Sequence, residues 1–177
     1  MVKQSKNERT RTSPIMKKVL LARPSSLIVA NMQKLMTTLG LEPTRLQEAS
    51  ELQQHERADV ACIVVSTALT STVNESYCEM VMKVRKAFPS KPIFIASFAD
   101  ISRSKLIVNA KLRESRCPMS LISMTEAADQ KLVDFSSHCI LITNNEIKEE
   151  PHFSNSIRHL RTLLTPIHKS GSNIRMR

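Results

Sequence analysis

Glycine is nearly missing from this chain: Gly40 and Gly171 are the only two in 177 residues. Loops that cradle phosphates, of the Walker or dinucleotide type, need glycines where the backbone approaches the ligand, and neither pattern occurs, which argues against nucleotide hydrolysis and NAD binding. Aromatic residues make up 3% and tryptophan is absent, which is unusual for a globular chain. No run approaches the roughly 18 to 20 consecutive apolar residues of a membrane span. The basic start is not followed by an apolar signal-peptide core either, and a cytoplasmic protein without membrane association is expected. The four cysteines, Cys62, Cys78, Cys117 and Cys139, are irregularly spaced and two lie inside apolar runs, which predicts buried thiols rather than disulfides or metal ligands. His138, His152, His159 and His168 crowd the last third without a carboxylate or cysteine at metal-ligand spacing. No nucleophile and base stand in a recognised grouping, so neither cofactor, metal nor catalysis is expected.

What is abundant is positive charge, +10 overall, and it is unevenly placed. Residues 1 to 18 carry Lys3, Lys6, Arg9, Arg11, Lys17 and Lys18 against Glu8, and residues 158 to 177 carry Arg158, Arg161, Lys169, Arg175 and Arg177 with no acid. The bases and acids between them cancel. A groove-reading nucleic-acid domain carries its basic stripe on the folded face, whereas here the excess lies at the two ends. Residues 1 to 16 are polar and without periodicity, and are expected as a basic tail or linker, with a second basic tail over 169 to 177.

Between the tails the pattern alternates strand and helix. Val19–Ala22, Cys62–Val65, Ile93–Ala96 and Cys139–Ile142 are short apolar runs suited to strands buried on both faces. Ile28, Met32, Leu35, Met36 and Leu39 recur at helical spacing after a Pro24-Ser25-Ser26 turn, with Gly40 as the stop. Thr44–Gln47 is a weaker strand candidate and Ala49–Glu56 a short polar helix. Tyr77, Met80, Val81, Val84 and Phe88 mark a helix ended by Pro89, with Met82 as a surplus apolar residue suited to a partner surface. Asp100 caps a helix from Ile101 whose apolar side is expected to hold Leu106, Ile107, Ala110 and Leu112. Residues 117 to 138 admit two readings, an extra strand at Ser120–Met124 and a helix capped by Thr125 through Phe135. Phe153, Ile157, Leu160, Leu164 and Ile167 mark a last helix, whose Leu160 and Leu164 stripe beside Arg158 and Arg161 is a candidate for pairing with a second copy. The expected fold is α/β, a doubly wound parallel sheet of five strands with a sixth possible near 120 to 124.

In such a sheet, ligands sit at the carboxyl ends of the strands. The buried runs stop at Arg23, Ser66, Ser97 and Thr143, and none of these is a carboxylate. The run Lys17-Lys-Val-Leu-Leu-Ala-Arg-Pro-Ser-Ser, the segment Ala58-Asp-Val-Ala-Cys-Ile-Val-Val-Ser and the run Pro92-Ile-Phe-Ile-Ala-Ser-Phe-Ala-Asp resemble, in pattern and order, the receiver domain of two-component response regulators over residues 17 to 168. The resemblance implies a flavodoxin-like fold, and it implies where that family's chemistry would stand. Arg23 and Pro24 match the acidic pair that holds Mg²⁺, Ser66 the aspartate that accepts the phosphoryl group, Ser97 the hydroxyl switch residue, and Thr143 the lysine. A guanidinium repels a cation, and a serine without a base is no substitute for a carboxylate nucleophile. The resemblance therefore implies a pseudo-receiver, a signalling module that acts through protein–protein contacts with a sensor kinase, an output domain or another regulator, or as a homodimer.

Two other readings stand beside it. The basic ends make a nucleic-acid-associated regulator, with Lys3, Lys6, Arg9, Arg11, Lys17, Lys18, Arg175 and Arg177 on phosphates. Alternatively, Arg23, Ser66, Ser97 and Thr143 line a degenerate pocket that binds a small anion in a flavodoxin-like domain.

Overall fold

The computed structural model describes residues 16–68, 71 and 73–165. Strand β1 (Lys18–Arg23) leads into helix α1 (Ser26–Thr38), strand β2 (Glu42–Arg45), two short 3-10 turns (Ala49–Gln54 and Arg57–Asp59) and strand β3 (Val60–Ser66). Helix α2 (Tyr77–Ala87), β4 (Ile93–Ser97), α3 (Ile101–Glu114), β5 (Ser120–Ser123) and α4 (Met124–Asp129) follow. Strand β6 (His138–Thr143), the one-turn α5 (Asn144–Lys148) and α6 (His152–Leu164) complete the order.

All strand pairings are parallel, and the sheet runs β2-β1-β3-β4-β6-β5. Without β5, that is the 2-1-3-4-5 order of flavodoxin-like sheets. The sheet has six strands rather than five because β5 adds itself to the outer edge of β6. Both readings of residues 117 to 138 hold in shortened form. Ser120–Ser123 is a strand, and Ser123 rather than Thr125 then caps a helix, its hydroxyl accepting from the Glu126 N–H at 3.2 Å. That helix ends at Asp129, not Phe135, because Lys131 turns left-handed (φ 50°) and Leu132 N–H closes back on the Ala127 carbonyl.

Two apolar layers clamp the sheet, as the continuous apolar runs require. Val19, Leu21, Val64, Phe94, Ile140 and Ile142 face α1, α4, α5 and α6, while Leu20, Ile63, Val65, Ile93 and Ile95 face α2 and α3. All four cysteines are buried and free, as expected. The last helix is preceded by the separate turn α5, and of its expected stripe Leu160 is 0% exposed whereas Leu164 is only partly buried. On α3 the expected apolar side holds at Leu112 but not at Leu106 and Ile107. Ser104, Val108 and Leu112 are buried, whereas Leu106 is 74% and Ile107 47% exposed.

Candidate functional site

The β1/β3 boundary is where the strand order reverses, so the crevice outside Arg23 and Ser66 is the default ligand site of this sheet. The register continues it outward: Ser66 lies opposite Ala96 and Ser97 opposite Thr143. The four residues expected to meet at the carboxyl edge of the sheet do so. All six strands end there on an arginine or a hydroxyl, namely Arg23, Arg45, Ser66, Ser97, Ser123 and Thr143.

Arg23 is 8% exposed, and its guanidinium crosses the switch point. Its Nη1 donates to the Ser66 carbonyl at 2.7 Å and to the Ala68 carbonyl, and its Nε donates to the Glu75 carbonyl at 3.0 Å. Burial lowers its pKa from the ordinary guanidinium value, yet arginine remains charged throughout the accessible range. The fork therefore gathers three backbone carbonyls from the start and end of the β3–α2 loop. Backbone oxygens take the Nε and Nη1 hydrogen bonds that a bound carboxylate or phosphate would otherwise receive.

Each hydroxyl has a local partner as well. Ser66 Oγ accepts from the Ala68 N–H at 3.0 Å. Ser97 Oγ accepts from the Ser104 hydroxyl at 2.8 Å and from the Ala99 N–H at 3.3 Å. Thr143 donates from both its N–H (2.6 Å) and its hydroxyl (2.9 Å) to Glu146 Oε2, which locks the start of α5. Serine and threonine at a strand end are thus doing what they do at turns and helix starts, terminating backbone groups.

Carboxylates do occur in the loops and helix starts at this end, but those nearest the strand ends are engaged. Glu75 pairs with Lys83 at 2.7 Å and Glu126 with Lys105 at 2.5 Å, and the lysine lowers the pKa of each carboxyl. Asp100 caps α3 by accepting from the Arg103 N–H, as expected, and Glu146 holds Thr143. Magnesium needs one or two carboxylates together with waters. Among the described residues, no group of three His, Cys, Asp or Glu side chains is placed to hold a metal ion.

Lys17 and Lys18, proposed as phosphate contacts, lie at the opposite, amino end of β1. Lys3, Lys6, Arg9, Arg11, Arg175 and Arg177 lie outside the described residues. No described helix is long and apolar enough to cross a membrane.

Sequence reasoning gives no cause to single out Arg85, on the last turn of α2. Its guanidinium donates to the carbonyls of Phe88, Pro89 and Lys91 through Nη1 and to those of Phe135 and His138 through Nη2, tying two loops together below the sheet. The one sequence signal is its position three residues before the Phe88-Pro89 break.

No protein-family model matches the sequence. No curated protein matches it either. Among solved structures, a response regulator receiver domain protein from Clostridium thermocellum is similar at 10% identity, over 84% of this chain and 94% of that chain, with a TM-score of 0.48. A CheY-like receiver domain protein from Methanospirillum hungatei gives 10% identity, 83% and 94%, and 0.47. A receiver protein from Sinorhizobium medicae gives 13% identity, 84% and 94%, and 0.46.

Proposed function

We propose that this chain is a receiver-like signalling module that accepts no phosphoryl group and acts by contact with protein partners. Residues 17 to 168 form the module in this reading, with the basic segments on either side as tails. The observation that carries it is Arg23: at the switch point, where a receiver would hold its metal, a buried cation is bonded to the carbonyls of Ser66, Ala68 and Glu75. A cation fixed there raises the cost of bringing in Mg²⁺, and Ser66 offers no carboxylate to phosphorylate.

Protein contact is supported by α3 and its leading loop. Phe98, Ile101, Leu106 and Ile107 all present apolar surface, and Met82 on α2 does so too. Exposed apolar side chains on and just before one helix offer area that a protein partner would cover. Arg103, Lys105, Lys111 and Arg113 on the same helix suit a partner with acidic groups around an apolar centre.

Incubation of the full chain with acetyl phosphate and Mg²⁺, followed by intact-mass measurement, is expected to show no phosphoryl adduct. A stoichiometric, hydroxylamine-sensitive adduct would overturn the reading.

A further inference from the structure

At the amino ends of the strands, opposite the site described above, lies an open groove of about 1050 Å³. Leu41, Phe135 and Leu163 form part of its lining, and Met16 and Val133 stand on it 53% and 62% exposed. Lys17, Lys91 and Lys131 also line it, and none of its lining residues is a carboxylate. The carboxylate adjoining Val133, Asp134, is bonded to Ser136. We propose that this groove is a docking site for an acidic amphipathic peptide segment of a partner protein.

The groove is built rather than incidental. Its walls include Ser90–Pro92, Val133 and Phe135, and Arg85 holds both sides by donating to the Lys91 carbonyl at 2.7 Å and the Phe135 carbonyl at 2.6 Å. A preformed site avoids part of the ordering cost of binding. Its electrostatics are unbalanced: burial lowers the Lys91 pKa and the neighbouring Lys17 lowers it further. An incoming carboxylate relieves that repulsion, while apolar side chains cover Met16, Val133 and the floor.

The same charge disfavours other occupants. The chain's own segments 1–15 and 166–177, which adjoin the groove in sequence at Met16 and Thr165, carry Lys3, Lys6, Arg9, Arg11, Lys169, Arg175 and Arg177 against Glu8 alone. A second copy brings a net charge of +10. A lipid bilayer meets a concave surface at its rim and leaves the apolar floor uncovered. The inference is independent of the chemistry at the strand ends.

The test uses the full chain and a fluorescent peptide of glutamates and leucines at helical spacing, with a lysine-for-glutamate counterpart as control. Saturable binding of the glutamate peptide alone is expected, weakened at least about tenfold by Lys131→Glu and by Val133→Asp. Both positions are exposed, so circular dichroism should show both variants folded. Asn155→Asp, exposed near the start of α6 and outside both the groove and the α3 surface, should leave the affinity unchanged. Absence of saturable binding, equal binding of the lysine peptide, or insensitivity to both groove substitutions overturns the proposal. So does loss of binding through Asn155→Asp, or capture of phosphatidylserine vesicles by the groove in place of the peptide.

Discussion

A buried guanidinium without a carboxylate partner is costly unless every donor it turns inward is accepted. Arg23 meets that condition with carbonyls that lie 43 and 52 residues away in sequence, so it fastens both ends of the β3–α2 loop to β1. Arg23→Met should therefore cost about 2 to 3 kcal/mol in urea unfolding, because the carbonyls of Ser66, Ala68 and Glu75 lose a charged donor. Arg23→Lys should recover only part of this, an ammonium lacking the planar fork. The thiols behave in the opposite way, as buried groups with no polar role. Burial pushes Cys62 and Cys139 up to about 12, and a thiol held neutral is unreactive. An aromatic disulfide reagent at neutral pH should label none of the four cysteines in the native protein and all four after unfolding in guanidinium.

Two of the three helices that close through a left-handed residue do so without glycine, the residue best suited to that position. Gly40 (φ 77°), Arg116 (φ 56°) and Lys131 (φ 50°) occupy the same left-handed position after α1, α3 and α4. In each case the next N–H returns to a carbonyl five residues back: Leu41 to Met36, Cys117 to Leu112, and Leu132 to Ala127. The scarcity of glycine thus has a local cost, since a side chain at such a φ is disfavoured by roughly 1 to 2 kcal/mol. Arg116→Gly should stabilise the protein by about 0.5 to 1 kcal/mol once the greater freedom of glycine in the unfolded chain is offset. Gly40→Ala should destabilise by about 1 kcal/mol. Its added Cβ would meet nothing within 4 Å, so the penalty comes from the backbone alone. Thermal unfolding of the two variants, moving in opposite directions, checks both.

The elements also explain which parts of the molecule are legible in sequence. Apolar runs locate β1, β3, β4 and β6, because a strand covered on both faces excludes polar residues along its length. The strand-end residues Arg23, Ser66, Ser97 and Thr143 follow directly from where those runs stop. Their partners do not, since Arg23 bonds across the sheet and Arg85 bonds two loops that sequence leaves far apart. On α3 the apolar residues fall on more than one face, and the small Ser104, bonded to Ser97, takes an inward position that periodicity would give to a larger residue. The segment 117–138 is obscured for a related reason: a four-residue edge strand and a six-residue helix are each too short to show a period.

Over the whole molecule, the titrating groups set an asymmetric stability profile. Glu75 and Glu126 have lowered folded-state pKa values through Lys83 and Lys105. Their contribution is present above the ordinary carboxylate range and is lost as pH falls through the lowered values. Both carboxylates are at the surface, so that loss is small. Cys62 and Cys139, with Tyr77 also pushed up to about 12, act at the other end. Their raised values give a contribution fully present below about pH 9, where unfolded thiols begin to ionise, and lost between there and about pH 12. The slope is of order 1.4 kcal/mol per pH unit for each thiol. The melting temperature should fall more steeply on the alkaline side than on the acid side, and a flat alkaline limb would contradict the burial assigned to these groups.

The strand order reverses at the β1/β3 boundary, and the protein's own cation, Arg23, spans that point on backbone carbonyls. That is the central claim, and Mg²⁺ binding tests it most directly. In a titration of the full chain with millimolar Mg²⁺, followed by amide resonances, Arg23, Ser66, Ser97 and Thr143 are predicted to show no saturable shift. Saturable, site-specific shifts at Arg23 and Ser66 would contradict it.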